Sequence, residues 1–243
     1  MRNRVPSSRS SAAGCEVRFG KVCCCEAFTL IELLAVIAII GILAGILLPA
    51  TLSVRGSADR TRTRIRFQQW IASIEAFRRE YGVYPVFAAD GKVNGEASTD
   101  PASPHRFHDV LSGRRRDGTG LLDPLDGGSG FGAEYQNPRR IDFLRLTADE
   151  IFRTDDPIAE RRNLIHDPFD NPDIAVLVDA DGDGFIDADG PAALPPVSPP
   201  DNPALQLIPS PSDFPAAGLR AGVVLYSAPP GSREPEQLIL SWR

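Results

Sequence analysis

Cysteine is absent from everything after residue 25 of this 243-residue chain; the four that exist are Cys15, Cys23, Cys24 and Cys25. The long remainder therefore has neither a disulfide framework nor a thiol nucleophile. The run Cys23-Cys24-Cys25 has no partner ligands at zinc spacing. It also precedes an apolar segment, whereas a lipoprotein cysteine follows one. Histidine is scarce, with only His105, His108 and His166. None stands beside a nucleophile signature or a metal pattern, so surface or capping roles are expected of them. No phosphate loop and no Gly-x-Ser-x-Gly sequence occurs, and nothing supplies an enzyme mechanism. Positive charge is short as well: 26 Lys and Arg face 32 Asp and Glu, a net of -6, which argues against a nucleic-acid binder. The hydrophobic share of 42% excludes wholesale disorder, and 22 Pro with 21 Gly predict many turns.

What is present is unevenly placed. Residues 1–27 carry five basic and two acidic groups, so the other 216 residues carry a net of -9. Residues 28–48 read FTLIELLAVIAIIGILAGILL, with Glu32 as their one charge. As a helix this run is roughly 31 Å long, about one hydrocarbon core. A secretory signal peptide has an apolar region of only about 7–15 residues and a small-x-small cleavage site; here Leu48-Pro49-Ala50 follows a longer run. A plain membrane anchor explains the length but not Glu32, because a carboxylate inside a membrane helix costs about 2–3 kcal/mol at the centre. No cation lies within the segment. A chain cut just before Phe28 would supply one: the new α-amino group would stand four residues from Glu32, at the positive end of the helix.

The stretch Glu26-Ala27-Phe28-Thr29-Leu30-Ile31-Glu32 resembles the processing site of type IV pilins and type II secretion pseudopilins. The resemblance implies that a prepilin peptidase cuts between Ala27 and Phe28 on the cytoplasmic side and methylates the new amine. It places Glu32 at the family's hallmark glutamate, and Gly41 and Pro49 where the family often has Gly and Pro. Ala27 departs from the family's usual Gly before the cut; alanine is small, so slower processing is expected rather than none. Five basic residues precede the span and five (Arg55, Arg60, Arg62, Arg64, Arg66) follow it, so loop charge leaves the orientation tied. The resemblance implies a cytoplasmic leader and a head outside the inner membrane.

Beyond Pro49, which should kink or locally open the helix, Phe67, Ile71, Ile74, Phe77 and Tyr81 recur at helical spacing. They make one apolar stripe, stopped at Gly82. The arginines at 60–66 spread round the helix as solvated or phospholipid-facing groups. Residues 75–85, ending Tyr84-Pro85, resemble the helix-to-loop junction of the major pseudopilin. Residues 86–140 read as a long variable loop with one short helix near 106–111, and 141–166 as a short helix or two. Strands are predicted at 174–178, 222–227 and 237–242, with the Pro-rich residues 191–215 as a loop or extended arm. The segment His166-Asp167-Pro168-Phe169-Asp170-Asn171-Pro172 and the closing Ser241-Trp242 also resemble the major pseudopilin. The expected fold is α+β and pilin-like: a leader (1–27), an apolar helix (28–48), its amphipathic continuation (49–82), and a head (83–243) with three or four antiparallel strands packed on that helix.

Residues 179–189 read DADGDGFIDAD. Asp179, Asp181 and Asp183 at positions 1, 3 and 5, with Gly184 at 6, match the opening of an EF-hand calcium loop. Phe185 would offer its carbonyl at position 7, Ile186 would anchor the loop, and Asp187 would act directly or through water. Position 12 is Gly190 instead of the bidentate glutamate, and Asp189 is the substitute. The flanking run IAVLV is strand-like, which excludes a full EF-hand. Unpaired, these carboxylates repel one another, so a calcium site is expected in loop 179–190; major pseudopilins carry one in this region.

Together these readings describe a filament subunit without enzyme activity. The resemblance implies prepilin peptidase, related pilin subunits, the inner-membrane assembly platform and membrane lipid as its partners. In the filament Glu32 would pair with a neighbouring Phe28 amine. Residues 86–140 exceed a minimal major pseudopilin, which leaves a minor or specialised pilin open. The alternative is a membrane-anchored, calcium-binding surface protein that never polymerises.

Overall fold

The computed structural model describes residues 29–95, 97, 99–121, 132–187 and 194–243, with the side chains of 46–54 and 134 outside that description. Helix α1 is Leu30–Tyr81. Its backbone stays helical through Pro49, which removes one hydrogen bond of a long ladder without ending it. Gly82, at φ 79°, takes the left-handed conformation that closes the helix. The described residues fall into two compact units, one ending at Ala50 and the other Thr51–Arg243.

In the first unit every side chain described from residue 30 to 45 is exposed, although nearly all are apolar. Among the described residues no helix is long and apolar enough to cross a membrane. The segment 28–48 begins outside those residues, at Phe28.

The second unit is α+β. The amphipathic part of α1 buries Phe67, Ile74 and Phe77, with Ile71 and Tyr81 partly covered. Trp70 is also fully buried, one turn from Phe67, although the expected stripe omits it; Phe107 meets it edge to face at 5.3 Å. Strands β1 (Ile174–Val178), β2 (Val223–Ser227) and β3 (Ile239–Leu240) form an antiparallel sheet in that order, with Val176 opposite Leu225 and Tyr226 opposite Leu240. The outer edge of β1 is closed by a short segment: Val93 donates to the Ile174 carbonyl (2.9 Å) and Val176 to that of Gly91 (2.7 Å). That segment makes only an isolated bridge, Lys92 opposite Ala175, so the sheet has three strands, the lower of the expected numbers.

The β3 strand is shorter than the expected 237–242. A 3-10 turn, Pro235–Gln237, occupies its start. At its end the Ser241 hydroxyl, in place of a carbonyl, accepts from Leu225 N (2.9 Å), and the freed Ser241 carbonyl accepts from Gln68 on α1 (2.7 Å).

Side chains alternate along the strands, yet both faces of the sheet are buried. Ile174, Val176, Val223, Leu225 and Ile239 share a core with α1. Ala175, Leu177, Val224, Tyr226 and Leu240 share another with Val197, Leu207, Phe214 and Leu238. A sheet covered on both sides needs continuous apolar runs, which is why β1 and β2 read IAVLV and VVLYS. The Pro-rich stretch is the outer layer. Val197 and Leu207 exchange two backbone hydrogen bonds (2.8 and 2.9 Å), and Tyr226 donates to the Pro195 carbonyl (2.6 Å). Trp242 donates to the Asp213 carbonyl (3.0 Å) while packing edge to face on Phe214 and Tyr226.

The described part of 86–140 is more ordered than a variable loop. It carries α2 (Arg106–Ser112) and α3 (Ala133–Gln136), and it adds Phe87, Phe107, Val110 and Leu111 to the helix-side core. Buried Asn137 knits it together, accepting from Tyr81 and Ile141 N and donating to the carbonyls of Val110 and Ile141. The helix expected in 141–166 is corrected to a 3-10 turn, Ala159–Arg161. Asp156, just before Pro157, accepts from Ile158 N (2.9 Å), a local bond that favours a turn, and Ile151 instead bridges to Ile165.

Candidate functional site

The first site is the start of α1. Ala27 and Phe28, where cleavage is expected, lie outside the described residues, as does the leader. Thr29 and Glu32 are described, and they close a reciprocal cap. The Glu32 carboxylate accepts from the Thr29 amide (2.9 Å) and hydroxyl (2.7 Å), and the Thr29 hydroxyl accepts from the Glu32 amide (3.3 Å). This is a capping box, and it satisfies helix-end donors that an apolar setting would leave bare. Threonine three residues before glutamate, ahead of an apolar run, is its sequence signature; an account of Glu32 by charge alone misses it. Both bonds fall on Oε2, and among the described residues Oε1 has no partner. The arrangement holds a carboxylate at the helix start, oriented through Oε2.

The second site follows β1. Asp179 is buried, and its carboxylate is oriented by two backbone amides, Gly182 N to Oδ1 (2.7 Å) and Gly184 N to Oδ2 (3.0 Å). Gly182 and Gly184 sit at φ 78° and 91°, where side chains other than hydrogen are strained. Asp181 accepts from Asp183 N (3.3 Å) and Asp183 from Phe185 N (2.7 Å). One oxygen from each of Asp179, Asp181 and Asp183 comes within 4.8 Å of the others. Ile186 is buried and anchors the loop through two bonds with Leu219, each 2.9 Å. Phe185 is exposed, and so is Asp187, which lies beside Gly218. Asp189 and Gly190 lie outside the described residues. Three carboxylate oxygens brought this close on an anchored loop are a group that could hold a metal ion.

The three histidines are all buried, which corrects the surface part of their expected role. His105 caps α2, and His166 stacks on Phe152 at 4.1 Å. Burial holds the His166 imidazole below its ordinary pKa.

No curated protein and no solved structure matches the chain. Residues 24–48 match the family model described as the prokaryotic N-terminal methylation motif, so the chain carries, around Phe28 and Glu32, the processing signal of type IV pilin-like proteins.

Proposed function

We propose that the chain is a structural subunit of a type II secretion pseudopilus or a type IV pilus-like filament. Prepilin peptidase removes residues 1–27 and methylates Phe28. The subunit then rests in the inner membrane by its apolar helix, with the head outside, until the assembly platform lifts it into the filament. There the Glu32 carboxylate meets the amine of a neighbouring Phe28, which neutralises both charges among apolar helices. Calcium sits on Asp179, Asp181 and Asp183, with Phe185, Asp187 and Asp189 completing the shell, and locks the loop after β1. The chain catalyses nothing.

The observation that carries this reading is a lone, capped carboxylate at the start of an apolar helix, within the matched motif. Coexpression with a prepilin peptidase, followed by mass spectrometry, tests it. The expected product begins at Phe28 and carries one added methyl group. A chain that still begins at Met1 in the presence of active peptidase overturns it.

A further inference from the structure

His105 has no part in the start of α1 or in the acidic loop, yet it is almost wholly buried. Its Nδ1 accepts from the amide of His108 (3.3 Å), which caps the N-terminus of α2. Its Nε2 lies 3.0 Å from Asn94 Oδ1. An amide donor at Nδ1 and a carbonyl acceptor at Nε2 fix one neutral tautomer, with the proton on Nε2. Asn94 passes the link on. It accepts from Ile165 N (3.0 Å) and donates to the carbonyls of Ile165 and Pro172, each at 2.7 Å. Asn94 thus ties the short segment that edges β1 to the chain at 165–172, and the His105 imidazole ties helix α2 to Asn94.

The geometry points to an acid-labile latch: a proton added to Nδ1 of His105 turns the helix cap into a clash of two donors and loosens the N-terminus of α2, while Nε2 goes on donating to Asn94. The charged and titratable groups facing the ring are known from each neighbouring element. From α2 come His108 and Asp109; Asp109 accepts from the His105 amide (2.9 Å) and lies 2.9 Å from His108 Nδ1. From beyond α2 comes the Arg116 guanidinium, which donates to the carbonyls of Asn163, Asp100 and Ser103. Asn94 is uncharged. Burial first, then Arg116 and His108, hold the His105 pKa well below that of a free histidine. The unfolded chain therefore takes the proton before the folded one does. The latch holds above pH 6.5 or so and weakens as pH falls below it. This inference does not depend on how the chain is processed or assembled.

Hydrogen–deuterium exchange of the full chain in detergent micelles, corrected for intrinsic rates, tests the latch. Between pH 7.5 and 5.0, protection of Arg106–Ser112 is expected to fall about ten-fold or more relative to β2, since each pH unit below the free value weakens the neutral form up to ten-fold. His105→Asn keeps a side-chain cap without a titrating proton, so its α2 protection should not change between the two pH values. Equal protection of the unaltered chain at both pH values, or the same loss in H105N, overturns the proposal. Nitrogen NMR of the unaltered chain is a second measurement, independent of that variant. The proton should be found on Nε2 at pH 7.5, and a proton on Nδ1 refutes the latch.

Discussion

Gly222 lies directly beneath the Tyr84 hydroxyl: a Cβ on that glycine would stand 1.8 Å from the phenol oxygen. The hydroxyl cannot withdraw easily. It donates to Glu75 (2.8 Å), accepts from Arg78 (2.7 Å), and is pushed up to a pKa of about 12 by burial and then by Glu75. Gly222→Ala should destabilise the head by about 1–3 kcal/mol through overpacking. Tyr84→Phe should recover part of that loss in the double variant although it costs stability alone. Urea melts of the four proteins measure the coupling; strict additivity would mean that the two residues do not meet.

Glu32→Leu should leave the protein in the membrane fraction and abolish filaments seen by electron microscopy. Thr29→Ala should have a smaller effect, weakening the cap by about 1 kcal/mol while sparing the charge. Filaments of normal number and length from E32L would remove the carboxylate from any role in assembly.

Calcium should bind the full chain with a dissociation constant of about 10⁻⁴–10⁻³ M, the range of extracellular sites. Asp181→Ala combined with Asp183→Ala removes two of the three converging carboxylates. Calorimetry should then show no binding heat, and an unchanged isotherm would reject these ligands.

Asp170 holds φ 58° in the turn before β1. Aspartate tolerates that conformation less well than glycine does. Its approach to His166 at 3.4 Å adds little while that imidazole is neutral. Asp170→Gly should therefore stabilise the head by about 0.5–1 kcal/mol, read from the midpoint of a urea melt at pH 7.5. A lower midpoint would show that the carboxylate does more for the turn than its backbone costs.

Asp167 is fully buried and accepts from Phe169 N, Asn171 N and the Ser227 hydroxyl, yet burial raises its pKa to about 6. The folded state then takes up a proton at higher pH than the unfolded chain. This group alone adds about 1 kcal/mol of stability as pH falls from 7.5 to 5. Asp167→Asn cannot make that gain. The stability gap between the unaltered protein and D167N should widen by about that amount on acidification, against the opposite slope of His105 and His166. A gap that stays constant would show that the carboxylate titrates as in the unfolded chain.

Much of this was legible from local pattern. The spacing of Phe67, Ile74 and Phe77 marked the docked face of α1, and the apolar runs at β1 and β2 marked the sheet. The alternating aspartates marked the convergence at Asp179, Asp181 and Asp183. What escaped was non-local. Trp70 is buried because Phe107 arrives from nearly forty positions away; Phe87 lies in a loop, and Phe107 lies on a seven-residue helix too short to show a period. The described part of 86–140 is tied down by single side chains such as Asn137 and His105, whose hydrogen bonds no periodicity announces. The capping box at Thr29 was visible and is short enough to be overlooked beside a conspicuous charge.

The outer layer over the sheet has a kinetic consequence. Strands β1 and β2 are neighbours in space, but residues 179–222, the acidic turn and the Pro-rich layer together, lie between them. Zippering β1 to β2 requires that long excursion to double back first, an entropic toll that nearby helical contacts never meet. The amphipathic rod can wind early, while the pace of the whole head is governed by how fast the excursion returns Val223 to Val178.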